Sequence, residues 1–188
     1  MARAAAGMRP SAARTMTLCA LLAALTAAGA LFKIPFWPAP ITLQSLFAML
    51  GGLILGARRG ALAQILYMLL GLAGLPIFAG GGGIGYVVTP RFGYVAGFIL
   101  CAFLTGAAAR RLRARTFPRL LLCCALGAVG LYAVGLPYMY IALRLSGVVI
   151  TPWQTVVSGL ILFLPGDALK CAACAALAPR IRRAMGMG

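Results

Sequence analysis

The 188-residue sequence has no histidine and no glutamate, and Asp167 is its only acidic residue. Acid-base catalysis would therefore fall to Asp167, Lys170, a cysteine or a tyrosine, and no nucleophile stands in a recognisable elbow or triad. An enzyme is not expected, and neither is a metal site. No Walker A lysine is present either, so any ATP used would be hydrolysed by another chain. Nor is there a segment polar enough to form a soluble domain. Charged residues make up only 10% of the chain, against roughly 25% in soluble domains.

What remains is strongly apolar. Apolar residues make up 63% of the sequence, and its mean hydropathy is +1.03. Six stretches approach the roughly 17 to 25 residues that a helix needs to cross a bilayer. They run from about 16 to 32, 41 to 57, 60 to 78, 93 to 109, 120 to 142 and 154 to 178, with tails at 1–15 and 179–188. These runs are too uninterrupted for a barrel of alternating strands. The expected fold is an all-α integral membrane protein, a compact bundle of six transmembrane helices in a single membrane domain.

The formal net charge of +16 is distributed by loop. Arg3, Arg9 and Arg14 precede the first span; Arg58 and Arg59 join the second and third. Arg110, Arg111, Arg113, Arg115 and Arg119 join the fourth and fifth, and Arg180, Arg182 and Arg183 follow the sixth. That makes 13 on one side, against Lys33, Arg91 and Arg144 on the other. The positive-inside rule then puts both termini in the cytoplasm and requires an even number of spans. A nucleic-acid face would gather its basic residues on one solvated surface with stacking aromatics, which this pattern does not do. The basic loops suit the anionic lipid of the bilayer instead. The basic start, apolar run and Ala28-Gly29-Ala30 imitate a cleavable signal, but the run from Met16 to Phe32 is long and leads directly into the next span, so the first span is expected to be retained.

Two short motifs carry no chemistry here. Cys171-Ala-Ala-Cys174 matches a CxxC by count, yet no second pair and no histidine accompany it, and all six cysteines fall within spans, where thiols pack as small apolar groups. Gly80-x-Gly82-x-x-Gly85 fits a dinucleotide fingerprint by count but lies between two membrane spans with no acidic residue about 20 positions on.

Three outward-side segments could build a pocket. Ile34–Gln44 carries three prolines and aromatic side chains. Gly74–Tyr94 is rich in glycine, which permits unusual backbone and close approach to a ligand; irregular backbone at membrane depth is tolerated where it lines a cavity, and the same composition also suits a surface loop. The third segment is the first half of span six, leading to Asp167 and Lys170. Three residues apart, these two share one helical face. In a regular helix Asp167 lies some 13 residues, or roughly 20 Å, along the span, with a bend expected at Pro165-Gly166. The pair could be an internal ion pair that neutralises two charges. Alternatively it could meet a neutral polar ligand, the carboxylate accepting an N–H and the ammonium donating to a carbonyl.

Five ordered motifs resemble one family. Pro35-Phe-Trp-Pro-Ala-Pro-Ile-Thr-Leu-Gln44, Gly51-Gly-Leu-Ile-Leu-Gly56, Tyr67-x-x-x-Gly71-Leu-x-Gly-Leu-Pro-Ile-Phe-Ala-Gly80, Gly93-Tyr-x-x-Gly-Phe98 and Leu164-Pro-Gly-Asp-x-x-Lys170 are similar to those of the BioY family, the biotin-specific S components of energy-coupling factor (ECF) transporters. The resemblance implies high-affinity biotin capture in a bacterial cytoplasmic membrane, in association with a transmembrane coupling subunit and two ATP-binding-cassette ATPases, with no cofactor of its own. It further implies that Asp167 and Lys170 hold the ureido ring. The loop from Phe78 to Tyr86, with Gly80, Gly81 and Tyr86, would cover the ligand, and Gln44, Arg91 and Tyr94 would form a polar rim, Arg91 meeting the valerate. Ala20, Ala24 and Ala28 form a small-residue strip of the kind that docks the coupling subunit in S components; close packing within the chain uses the same pattern. The competing readings are an S component for another vitamin, a stand-alone proton-coupled carrier using Asp167, and a non-transporting scaffold.

Overall fold

A computed structural model describes residues 12–186. Arg3 and Arg9 of the expected cytoplasmic tail lie outside the described residues. The chain is an all-α membrane bundle of six helical segments. The first five are α1 (Ala12–Leu31), α2 (Gln44–Leu55), α3 (Ala57–Leu72), α4 (Phe92–Arg111) and α5 (Phe117–Leu145). The sixth is interrupted: α6 (Pro152–Gly159), a 3-10 turn at Ile161–Phe163, then α7 (Leu164–Ala184). A small antiparallel hairpin of β1 (Lys33–Ile34) and β2 (Ile41–Thr42) pairs Lys33 with Thr42 and Ile34 with Ile41 between α1 and α2.

Segments α1, α4, α5 and the α6–α7 stretch are long and apolar enough to cross a bilayer. Helix α2, with 12 residues, extends only about 18 Å. It starts late because Ile41 and Thr42 belong to the hairpin. Helix α3 stops at Leu72, well before the end of the apolar stretch that runs to 78. There Gly74, at φ 109°, turns the chain, the Leu75 amide bonding back to the Leu70 carbonyl at 3.3 Å, and Pro76 cannot continue a helix. What α2 lacks in length it makes up in burial, eight of its 12 residues being buried between α1, α3, α4 and α7.

Tight crossing of α4 and α5 positions the site. Gly93 and Gly97 make a small-xxx-small pair on α4. A Cβ at Gly93 would lie 2.4 Å from Tyr138 Cβ, and one at Gly97 would lie 2.7 Å from the Leu131 carbonyl. Only hydrogen fits there, so the backbones approach as they do at close helix contacts in membranes. Tyr94 and Tyr132 are thereby brought edge to face at 6.3 Å.

The sixth segment differs from the regular helix expected. Its break falls at Leu160, where φ is −129° and ψ −62°, rather than at Pro165-Gly166. In a continuous helix Pro165 would lose the bond to the Ile161 carbonyl and collide with it. The chain resolves the conflict by restarting, so that Pro165 sits in the first turn of α7, where proline is tolerated. Asp167 therefore lies in the first turn of a new helix and not some 13 residues along an old one.

The charges separate by end. Arg58, Arg59, Arg110, Arg111, Arg113, Arg115, Arg119, Arg182 and Arg183 line adjoining crevices at one end of the bundle. Lys33 lies on the hairpin and Arg91 at the start of α4, at the other end.

Candidate functional site

One cavity gathers most of the residues singled out from the sequence. Its wall includes Gln44, Tyr86, Arg91, Tyr94, Asp167 and Lys170, joined by Ala39, Pro40, Thr42, Ser45, Ala79, Val95, Phe98, Leu131, Tyr132 and Phe163. Its floor is polar. The Lys170 Nζ donates to Asp167 Oδ1 at 2.8 Å and to Ser45 Oγ at 3.1 Å, while Ser45 Oγ reaches Asp167 Oδ1 at 3.5 Å. The Tyr132 hydroxyl donates to Asp167 Oδ2. Asp167 is 5% exposed and Lys170 7%. A buried ion pair persists only where further hydrogen bonds satisfy its remaining polar sites, and Ser45 of α2 and Tyr132 of α5 supply them. The N-terminal end of α7 adds favourable dipole potential at the carboxylate. Of the three ammonium protons, these bonds use two and leave one for an acceptor in the cavity.

The walls are aromatic. Phe163 stacks on Tyr94 at 6.3 Å with 11° between planes, and Phe36 meets Phe163 edge-on at 6.4 Å. Tyr86 packs on Phe78 at 4.6 Å. The Tyr94 hydroxyl donates to the Gly159 carbonyl at 2.9 Å and so ties α4 to the end of α6. Burial pushes the Tyr86 hydroxyl above its ordinary pKa, with Arg91 partly opposing, so it is neutral at physiological pH.

Gln44 was expected at the rim but is 4% exposed. Its amide donates to the Tyr67 hydroxyl, which donates in turn to the Ile77 carbonyl at 3.0 Å, while Thr42 donates to Gln44 Oε1 at 3.0 Å. The residue thus fastens the hairpin to α3 and to the loop after it. Arg91 lies at the rim, its Nε donating to the Pro38 carbonyl at 3.3 Å. Gly80 and Gly81 are beside the cavity rather than on its wall. A Cβ at Gly80 would lie 2.6 Å from Arg91 Nη1, and Gly81, at φ 129°, closes a short bridge to Phe78. Lys33 Nζ also reaches this loop, donating to the Ala79 carbonyl at 3.3 Å.

The free volume within this wall is about 50 Å³, below the roughly 300 Å³ at which ligand pockets begin. Two of the segments that line it, the hairpin and the 73–91 loop, are linked to each other by Lys33 and Arg91.

The alanine strip is elsewhere. Ala20 and Ala24 are exposed on α1 and Ala28 is half-buried, whereas Ala23 beside them is buried. Cys171 and Cys174 pack against α2, the first donating to Met49 Sδ at 3.7 Å and the second to the Leu46 carbonyl at 3.3 Å.

Sequence reasoning missed Tyr132 and Ser45, while Phe163 lies in the first half of span six, a segment expected to build the pocket, without having been named. Tyr132 did leave a signal: a hydroxyl inside an apolar span must find a partner, and the one carboxylate in the chain was the obvious acceptor. For Ser45 no such signal existed beyond its place next to Gln44.

The family model described as BioY family matches residues 2–187. The "Probable biotin transporter BioY" of Lysinibacillus sphaericus is 39% identical over 168 residues, covering 89% of this chain and 86% of that protein. The biotin transporter BioY of Rhizobium etli is 36% identical over 175 residues, covering 87% and 90%. A crystal structure of the S-component for biotin from an ECF-type ABC transporter superposes with a TM-score of 0.79 at 25% identity, covering 91% of this chain and 92% of that one.

Proposed function

Because the chain belongs to the BioY family, we propose that its cavity binds biotin and that it serves as the substrate-capturing S component of an energy-coupling factor transporter. One observation carries this reading. A carboxylate acceptor and an ammonium with a free proton stand side by side at the floor of a cavity whose walls are aromatic. A cyclic urea presents N–H donors and a carbonyl acceptor within a few ångströms, so Asp167 accepts from the ring and Lys170 donates to it. The Ser45–Asp167 contact, long at 3.5 Å, is the one a ligand N–H replaces. Tyr94, Phe163 and Tyr86 enclose the bicycle. Arg91 meets the carboxylate of the valeryl chain at the rim, a charge-assisted contact. Gly80 and Gly81, with the rest of the 78–86 loop, and the hairpin part to admit the ligand and close again over it.

In this reading the six helical segments are the membrane spans, both termini lie in the cytoplasm and the cavity opens outward from the cytoplasmic membrane. The exposed edge of α1 at Ala20, Ala24 and Ala28 docks the coupling subunit, and two ATPase subunits drive the reorientation that releases biotin inward.

The test is a titration of detergent-purified protein with biotin, and with desthiobiotin, which keeps the ureido ring. Asp167→Asn should weaken both by at least about tenfold, or about 1.4 kcal/mol, because it removes a charged acceptor from a desolvated site. Unchanged affinity in a folded variant overturns the assignment.

A further inference from the structure

The end of the bundle opposite the cavity carries a second built feature. Three adjoining crevices of about 870, 760 and 290 Å³ run into one another there. The first two share Arg110 and Arg113, and the last two share Arg115 and Arg182. Their floor is apolar, with Leu53 and Leu55, and Phe103, 42% exposed, stands on the wall.

The cations here are all arginine. The chain has 15 arginines and 2 lysines, and the lysines are Lys33 on the hairpin and Lys170 in the cavity. Either cation satisfies the charge bias that orients a membrane protein. Only the planar guanidinium offers the fork that grips a phosphate bidentately. No side-chain carboxylate competes for them, since the single acid, Asp167, is paired with Lys170.

Arg113 adds an independent observation. It closes α4 with φ 46°, the Ala114 amide bonding back to the Ala109 carbonyl at 2.9 Å. This is the left-handed closing position that helices usually give to glycine. A side chain kept there against its backbone preference points to a task for that side chain.

We infer that this crevice binds the phosphodiester headgroup of an anionic membrane phospholipid. Arg110 and Arg113 grip the phosphate and the acyl chains leave along Leu55 and Phe103. On the orientation proposed above, this end faces the cytoplasmic leaflet, where anionic lipid concentrates.

The test uses the full chain, delipidated in neutral detergent and titrated with dioleoylphosphatidylglycerol or dioleoylphosphatidylcholine, bound lipid being counted by native mass spectrometry. The glycerol lipid should bind at least about tenfold tighter, and Arg113→Gly and Arg110→Gln should each weaken it about fivefold or more. Arg110→Lys should not restore binding, because charge alone is insufficient. Arg113→Gly should keep or raise the thermal midpoint, and biotin affinity should be unmoved in every variant, which separates this site from the cavity. Equal binding of the two lipids overturns the proposal. So does full binding by Arg110→Lys, which would leave only generic attraction, and so does displacement of the lipid by millimolar inorganic phosphate, which would make this a site for soluble phosphate.

Discussion

Asp167 and Lys170 are complementary in charge, yet their pairing costs more than it returns unless the neighbours cooperate. Taking two charges out of water is expensive, and their mutual attraction offsets that only with good geometry and extra hydrogen bonds. Both conditions are met, at 2.8 Å and with Tyr132 and Ser45 in attendance. It follows that removing one partner is far worse than removing both. Lys170→Met leaves an uncompensated carboxylate and should cost about 3–5 kcal/mol, read as a large fall in the thermal midpoint in detergent. Combining it with Asp167→Asn should recover most of that stability while leaving biotin binding abolished. If the double variant melts as low as Lys170→Met alone, the cost is one of packing and not of charge. Tyr132 carries a hydroxyl inside an apolar span, a signal that it needs a partner, but it lies 35 positions from the carboxylate it serves, and only the packing of α5 on α7 brings the two together.

On the proposed function the elements divide into a floor that holds the ligand and a cover that opens to admit it. Helices α2, α5 and α7 contribute Ser45, Tyr132, Asp167 and Lys170 and are packed on several sides. The hairpin and the 73–91 loop lie over them and are joined by two hydrogen bonds of 3.3 Å, Lys33 to Ala79 and Arg91 to Pro38. On that reading these links act on closure. Lys33→Met should therefore speed biotin dissociation severalfold, as the loss of about 1 kcal/mol implies, with little change in the association rate. A stopped-flow chase with unlabelled biotin measures it, and an unchanged dissociation rate would show that the cover closes without Lys33. The α6–α7 break belongs at this scale as well. Proline at 165 signals an interruption, but its placement at Leu160 follows from where the Pro165 ring would meet a carbonyl, one turn back.

Across the whole molecule, the roles proposed above are split between the two ends and one flank. The cavity, the arginine crevice and the exposed edge of α1 share no residue among their linings. Ala20→Trp and Ala24→Trp change exposed positions on α1, so biotin affinity in purified protein should match the parent while uptake by cells carrying the coupling subunit and ATPases falls by about an order of magnitude, on the view that a bulky ring spoils close helix contact. A parallel loss of affinity would place the strip in the internal packing of the bundle.

How much was legible beforehand follows the range of the interaction involved. Hydropathy and the loop charges are sums over local sequence, so the membrane class, the six helical segments and the basic end could be read from composition and order alone. Asp167 and Lys170 were legible for the same reason, since spacing of three on a helix is local geometry. The burial of Gln44, the entry of Ser45 from 122 residues away, the role of Tyr132 and the restart of the sixth segment were decided only when α2, α5 and α7 packed together. A buried charge has to be satisfied by whichever polar groups the neighbouring helices bring within reach, and that depends on helix crossings set by small residues such as Gly93 and Gly97. The Gly93-x-x-x-Gly97 spacing marks a close contact on α4, but which helix it meets and which side chains that brings together is a property of two surfaces.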